Sequence, residues 1–384
     1  MAEHPVVFIA GAGGIGRALA LLLRSEPSTR AAVVLGDLSR RAVDDACAFA
    51  DVDVSTGAPS PRGIEMPARG VSAELTEALA GADAILDCLP GAEAPRMARL
   101  AREHGCHYLN LTEYVAETDE VIGIAEGAET CFALQCGLAP GFINVLGHDL
   151  FLEATRAWGV DRVDSLEMRV GALTRHATAP HFYGWTWSPV GVATEYVEDA
   201  LAVRGGETVK LPSLTERRTL LLSGSVFEEA LTSGGAADLP AALGGRVQHL
   251  DYKTLRHPGH YEWVEGLLAG IPAGEDRAAK LQDAMEAVIP HIADDLVVVH
   301  ASVEGRDEHG VLRAMRATRF CSSIDVAGRR LRAIQSTTAA GIAEVLRIVL
   351  EGGQRGALLQ SQVPTASFLG GPFVALAYGE EERG

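Results

Sequence analysis

The sequence predicts an α/β protein, a doubly wound parallel sheet into which a mostly antiparallel α+β domain is inserted. Three observations predict it. Through the first third of the chain, short apolar runs alternate with stretches of helical spacing, as in parallel strands joined by crossover helices. Beyond Gly141 the strands alternate apolar with polar residues, the pattern of a sheet with one covered face. From Thr337 to Glu351 a long helix rich in small residues, TTAAGIAEVLRIVLE, returns to close the first domain. The boundaries that follow are 1–140 plus 335–384 for the first domain and 141–334 for the second.

Taken in order, Val6 to Ala10 reads as a buried strand, and Gly14 to Arg24 as a helix after a glycine turn. AAVVLGD is the second strand, and SRRAVDDACAFA a helix opened by Ser39, whose hydroxyl suits the first free N–H groups. STGAPSPRGIEMPARG breaks the rhythm and holds a poor third strand near Ile64 to Met66. ADAILDCLPG is the fourth strand, PRMARLAREHG a helix stopped by Gly105, CHYLNLT the fifth strand, ETDEVIGIAEGA a helix and TCFALQCG the sixth strand. In the second domain SLEMRVGAL, RVQHLDYKTL, DDLVVVHASVEG and VLRAMRATRF are strands, the last two joined through RDEHG. LAVRGGETVKL is a hairpin through Gly205 and Gly206, and RAAKLQDAMEAVI an amphipathic helix.

With 384 residues, two or three domains are expected. A net charge of −18 argues against a nucleic-acid partner and disfavours an anionic membrane surface. No apolar run is read as reaching a membrane span of about 18 residues, and no signal-peptide pattern precedes the first strand. The expected location is the cytoplasm. None of the six cysteines, Cys47, Cys88, Cys106, Cys131, Cys136 and Cys321, forms a C-x-x-C pair. They read as small buried hydrophobes, and no metal site is expected.

Gly11-Ala12-Gly13-Gly14-Ile15-Gly16 fits G-x-G-x-x-G between a strand and a helix. The first glycine permits the turn, the second lets backbone approach a diphosphate, and the third lets helix pack on strand. Asp37 follows about 20 residues on, at the end of the second strand, where its carboxylate suits ribose hydroxyls. A Rossmann dinucleotide site is therefore expected. Its candidate residues are Gly11, Gly13, Gly14, Ile15, Gly16, Asp37 and Leu38, with Cys88, Leu89, Pro90 and Thr112 from the later strand ends, which face the same crevice. Asp37 would repel a 2′-phosphate, so NAD is expected, with NADP as the alternative. Arg40 or Arg41 could reach a phosphate from the start of the next helix, and the alternative is that both are solvated helix residues.

Pro140 and Gly141 start a helix whose N-terminus suits an anionic substrate group or the carboxamide. Glu113, after the fifth strand beside Tyr108, is a candidate base. HFYGWTWSPVG concentrates aromatics, and Tyr183 and Trp187 are candidate pocket walls. YKTLRHPGH gathers Lys253, Arg256, His257 and His260 around a Pro-Gly turn in an acidic chain. Arg256 there either grips a substrate carboxylate in a bidentate fork or pairs with Asp251 or Glu262 to hold the turn. Lys253, His260 and Glu113 all stand as catalytic bases, and the sequence does not choose among them.

AGAGGIGRALA, CGLAPGFINVLG, TWSPVGVATEY and YKTLRHPGH, in this order, resemble the saccharopine dehydrogenase-like family over nearly the whole chain. That family includes saccharopine reductases, lysine 6-dehydrogenases and carboxynorspermidine synthases. The resemblance implies a Rossmann domain completed by C-terminal elements, a substrate-binding and dimerisation domain, a homodimer, and hydride transfer at a carbon–nitrogen bond of an amino acid. Many saccharopine and carboxynorspermidine enzymes carry Asp in their Gly-x-Asp-Pro-Gly loop, where this chain has Ala139. The departure points to lysine 6-dehydrogenase, with reductive condensation as the alternative. A nucleotide-binding regulator that lost its base is the alternative of another class.

Overall fold

The computed structural model describes residues 4–383. The first unit, running up to Phe142 and resuming over Ile324–Leu331 and Gln335–Ala377, begins with β1 (Val6–Ala10), α1 (Gly14–Ser25), β2 (Ala32–Asp37), α2 (Arg40–Ala50) and β3 (Arg62–Glu65). It continues through α3 (Ala73–Ala80), β4 (Ala84–Asp87), α4 (Ala94–His104), β5 (His107–Asn110), α5 (Val115–Ala125) and β6 (Cys131–Ala133). Local chemistry sets several ends. Ser39 accepts from the Ala42 N–H to open α2, as expected, and Ser72 does the same for Leu75 in α3, a helix not among the expected elements. Gly105 ends α4 at φ +68, where a side chain would be strained.

α6 (Phe142–Trp158) carries the chain into the second unit. There follow β7 (Val163–Thr174), α7 (Pro189–Val197), β8 (Ala200–Arg204), β9 (Glu207–Leu211), β10 (Arg218–Leu222), β11 (Ser225–Leu231), α8 (Leu239–Ala242) and β12 (Val247–Arg256). Then come α9 (His260–Ala269), α10 (Arg277–Glu286), β13 (Asp295–Arg306), β14 (Leu312–Cys321), β15 (Ile324–Val326), β16 (Arg329–Leu331) and α11 (Ala333–Glu351). β17 (Gly356–Leu358), α12 (Thr365–Leu369), α13 (Pro372–Tyr378) and β18 (Glu382–Arg383) finish the chain.

The first sheet is parallel, in the order β17-β6-β5-β4-β1-β2-β3. Strand order reverses between β1 and β4, which opens a crevice at their carboxyl ends. Its core packs Phe8, Val34, Ile85, Tyr108 and Phe132 against helix residues Leu75, Leu79 and Met97, each large apolar side chain contributing about 1.5–3 kcal/mol by burial. The second sheet runs β10-β11-β12-β7-β13-β14-β18, with β12 and β7 parallel and the other pairs antiparallel. β8 forms a hairpin with β9 and also pairs with β12.

Three expectations change. The domain bounds shift: Ile324–Leu331, expected in the second domain, falls with the first unit, and from Tyr378 onward the chain falls with the second, where β18 pairs with β14. From Leu250 to Arg256, β12 is buried on both faces and not one, with Lys253 and Leu255 as enclosed as Tyr252 and Thr254. α11 is, by length and composition, apolar enough to cross a membrane, which the sequence reading denied to any segment; 83% of that window is buried inside the protein.

Candidate active site

The glycine turn of the first unit is shaped for a diphosphate. Gly11 takes φ +101, and a methyl group there would stand 2.9 Å from the Cys88 carbonyl oxygen. At Gly16 a methyl would lie 1.9 Å from the Gly11 carbonyl, so only glycine lets α1 approach the turn. Gly13 is exposed and faces open space, with no atom within 4 Å of a Cβ built on it. It caps α1 with no side chain bonded to the free N–H groups and no acid in the first turn, so the helix end itself offers an anion its positive pole. The half-buried Asp37 carboxylate accepts from the Ala12 N–H at 2.8 Å and the Ser39 N–H at 3.0 Å. It braces the turn with lone pairs left for a ribose. Leu38 beside it is 58% exposed, an apolar platform at the same edge. Arg40 is tied to Asp44 at 2.9 Å, and Arg41 is solvated with Asp45 at 3.8 Å.

The ends of β4 to β6 wall the same crevice. Leu89 Cδ2 would touch a methyl at Gly11, and a methyl at Gly91 would strike Thr112 Oγ1 and the Tyr114 ring. Asn110 pins the next strand end: its Oδ1 accepts from the Gln135 N–H at 2.8 Å and its carbonyl from the Cys136 N–H at 2.9 Å. Glu113 follows β5, half-buried, and burial raises its carboxyl above the ordinary carboxylate range. Pro140 and Gly141 are buried, and the first N–H of α6, on Phe142, is taken by the Gly137 carbonyl at 2.9 Å. A methyl at Gly341 of α11 would stand 2.4 Å from that Gly137 carbonyl, so the helix packs directly on this loop. Gln335 reaches Gly14, with Nε2 2.8 Å from a methyl built there.

In the second unit the basic motif is closed on itself. Lys253 is fully buried, its Nζ at 3.5 Å from Glu216, 3.7 Å from Glu229 and 3.7 Å from Asp251. Arg169 adds ion pairs to Glu167 and Glu229, and Arg204 bonds Glu216 at 2.6 Å and Asp251 at 2.8 Å. Arg256 pairs with neither Asp251 nor Glu262. Its Nη2 bonds Glu195 at 2.6 Å, its Nη1 the Leu255 carbonyl at 3.0 Å and its Nε the Tyr196 hydroxyl, while the rings of Tyr183 and Tyr196 lie 5.0 and 5.4 Å from the guanidinium carbon. His260 is fully buried. A carbonyl only accepts, so its Nδ1 carries the proton given to His181 O at 2.7 Å, and its Nε2 accepts from Tyr196 at 3.0 Å. Burial and the nearby Arg256 push His260 down to about 3, so it is neutral. His257 Nε2 donates to the Thr174 carbonyl at 2.8 Å. Tyr183 is buried edge-on to Trp185, and Trp187 packs half-buried against the same cluster.

The model of the saccharopine dehydrogenase NADP binding domain matches residues 7–133, and that of the saccharopine dehydrogenase C-terminal domain matches residues 137–370. The chain belongs to the saccharopine dehydrogenase family. Saccharopine dehydrogenase (L-Glu forming) from Saccharomyces cerevisiae has a similar structure, with TM-score 0.73 at 14% identity, covering 99% of this chain and 100% of that one. Homospermidine synthase from Legionella pneumophila, solved in complex with NAD, matches with TM-score 0.71 at 14% identity, covering 100% of this chain and 91% of that one. At these identities the likeness speaks for the fold. This saccharopine dehydrogenase family member is thus an oxidoreductase with an NAD(P)-binding domain, and the open space at Gly13 with the Asp37 carboxylate beside the turn fits that cofactor.

The glycine turn, Asp37, Leu38, Leu89 and Thr112 all lie in the first unit. Lys253, Arg256 and His260 are enclosed in the other, spent on internal partners. Sequence reasoning missed Asp87, Asn110, Glu195 and Gln335. Only Asp87 carried a local signal, a carboxylate at the end of an otherwise apolar strand.

Proposed function

We propose that this chain is an NAD-dependent amino-acid dehydrogenase that oxidises L-lysine at its side-chain amine to allysine and releases ammonia. The observation that carries this reading is the internal neutralisation of YKTLRHPGH. Lys253 faces three carboxylates, Arg256 is paired with Glu195, and His260 is neutral. A motif with no cation to spare suits a substrate of net positive charge such as lysine. It suits poorly the dicarboxylate keto acid that condensation to saccharopine consumes. The chain's net charge of −18 favours the cationic substrate in the same way, and Ala139 agrees with it. The working form is a homodimer in the cytoplasm.

In this reading Glu113 takes a proton from the lysine ammonium. The freed lone pair then forms the carbon–nitrogen double bond as the adjacent carbon gives up its hydride. The bound dinucleotide supplies the hydride acceptor. Water adds to the iminium carbon, the carbon–nitrogen bond breaks, and aldehyde and ammonium leave. Glu113 in its acid form returns the proton to solvent. The test is L-lysine with NAD⁺ and no keto acid: reduced dinucleotide and ammonia should appear together. A strict need for 2-oxoglutarate in the reductive direction, with no lysine oxidation, returns the protein to saccharopine chemistry. Tight NAD binding with no turnover of any amine, aldehyde or keto acid favours the regulator.

Asp37, with Arg40 held by Asp44, supports NAD over NADP. Asp37→Ala should weaken both dinucleotides, because Ala12 and Ser39 lose their acceptor, and should narrow the ratio of catalytic efficiencies between them. Equal or better efficiency of the parent with NADP refutes the preference.

A further inference from the structure

Asp87 is the last residue of β4, next to β1 where strand order reverses. The residue is buried, 3% exposed. Oδ1 accepts from the Leu89 N–H at 3.0 Å, and Oδ2 meets the Tyr108 hydroxyl at 2.8 Å. The same hydroxyl lies 3.1 Å from the Ala94 carbonyl, at the start of α4. One carboxyl therefore ties together β4, β5, α4 and the loop whose Cys88 carbonyl and Leu89 side chain wall the Gly11 turn.

The phenolic proton of Tyr108 faces two acceptors, and the state of Asp87 decides between them. With Asp87 ionised, Tyr108 donates to the carboxylate, and the Leu89 N–H makes a charge-assisted bond roughly twice as strong as a neutral one. With Asp87 protonated, the acid proton goes to the Tyr108 oxygen and Tyr108 turns its own proton to Ala94. Each donor still has an acceptor, but Leu89 is held only by a neutral oxygen. Of the charged groups facing Asp87, Glu93 favours the acid form and Arg96 the carboxylate, and these two are bonded to each other at 3.0 Å. Tyr108 and Cys88 are the other ionisable groups against it, and burial keeps both neutral. Burial is also the largest influence on Asp87 and lifts it to about 7, so both forms are populated near neutral pH.

We infer that Asp87, with Tyr108, is a positioning residue for the dinucleotide loop and that its ionisation sets how tightly the cofactor is held. The test is dinucleotide affinity of the full chain, measured by titration calorimetry without substrate, which makes it independent of the reaction proposed above. The parent should bind several-fold tighter at about pH 8 than at about pH 6, because the carboxylate form holds the Leu89 N–H, and with it the loop, more firmly. Asp87→Asn keeps an acceptor for Leu89 and copies the acid form, so it should show the parent's acid-side affinity at both. Tyr108→Phe removes a donor to the carboxylate and should move the midpoint upward. A parent affinity flat across this range overturns the inference. So does an Asp87→Asn protein that keeps the parent's pH dependence or, should that variant not fold, a Tyr108→Phe protein with an unmoved midpoint.

Discussion

Glu113→Gln is expected to lower turnover of L-lysine by about 10²–10⁴-fold, the usual contribution of a positioned base, with dinucleotide affinity unchanged. The three bases open to the sequence part company in the structure. Lys253 is sealed among Glu216, Glu229 and Asp251, and both nitrogens of His260 are engaged. Glu113 alone of the three is half-buried at the carboxyl edge of the parallel sheet, where burial strengthens its hold on a proton. A raised carboxyl is a better acceptor for an ammonium proton than an ordinary one. The sign of the pH effect follows. The base form of Glu113 is lost as pH falls through its raised pKa, so turnover should rise with pH on the acid side, over a window above the ordinary carboxylate range. Glutamine has no such titration, and the variant should lose that acid limb. A Glu113→Gln enzyme within a few-fold of the parent, or one that keeps the limb, assigns the base elsewhere.

What the sequence showed was local. β1, the glycine turn, α1 and Asp37 lie within some 30 residues, and each glycine answers to a contact over that short range, as at Gly16 against Gly11. Ser39 and Gly105 likewise act on their own helix ends. What it hid depends on partners brought in by the fold. α11 starts at Ala333, a turn before the expected Thr337, because the buried Asp295 accepts from the N–H groups of Ala333 and Ile334 at 2.8 and 2.9 Å. The role of Asp87 needs Tyr108 on the neighbouring strand. β12 looked like a strand with one wet face because Lys253 alternates with apolar residues. Arg204 of β8 and Glu216 beyond β9 close over that face, and nothing in the spacing of YKTLRHPGH foretells them.

The clearest such case is Arg256, whose partner Glu195 lies in α7, and here the expected effect is on stability. Arg256→Met should lower the melting temperature by on the order of 10 °C, because removing one partner of a buried pair costs about 3–5 kcal/mol and a unit of this size loses roughly 2–4 °C per kcal/mol. The cost arises on the other side of the pair. Glu195 is 9% exposed and would lose its guanidinium partner while keeping its buried charge, and the Tyr196 hydroxyl would lose the donor that orients it toward His260. Glu195→Gln combined with Arg256→Met removes both charges together and should recover most of the loss, the non-additivity expected of residues in direct contact. Arg256→Lys separates this clamp from a substrate grip. Lysine can still meet Glu195 but cannot also reach Tyr196 and the Leu255 carbonyl, so it should melt between parent and Arg256→Met while its folded fraction oxidises lysine normally. An Arg256→Lys protein with the parent's melting temperature and a catalytic efficiency on lysine reduced 30-fold or more (about 2 kcal/mol) would show the guanidinium binding substrate, and the internal neutralisation that supports a cationic substrate would fall with it.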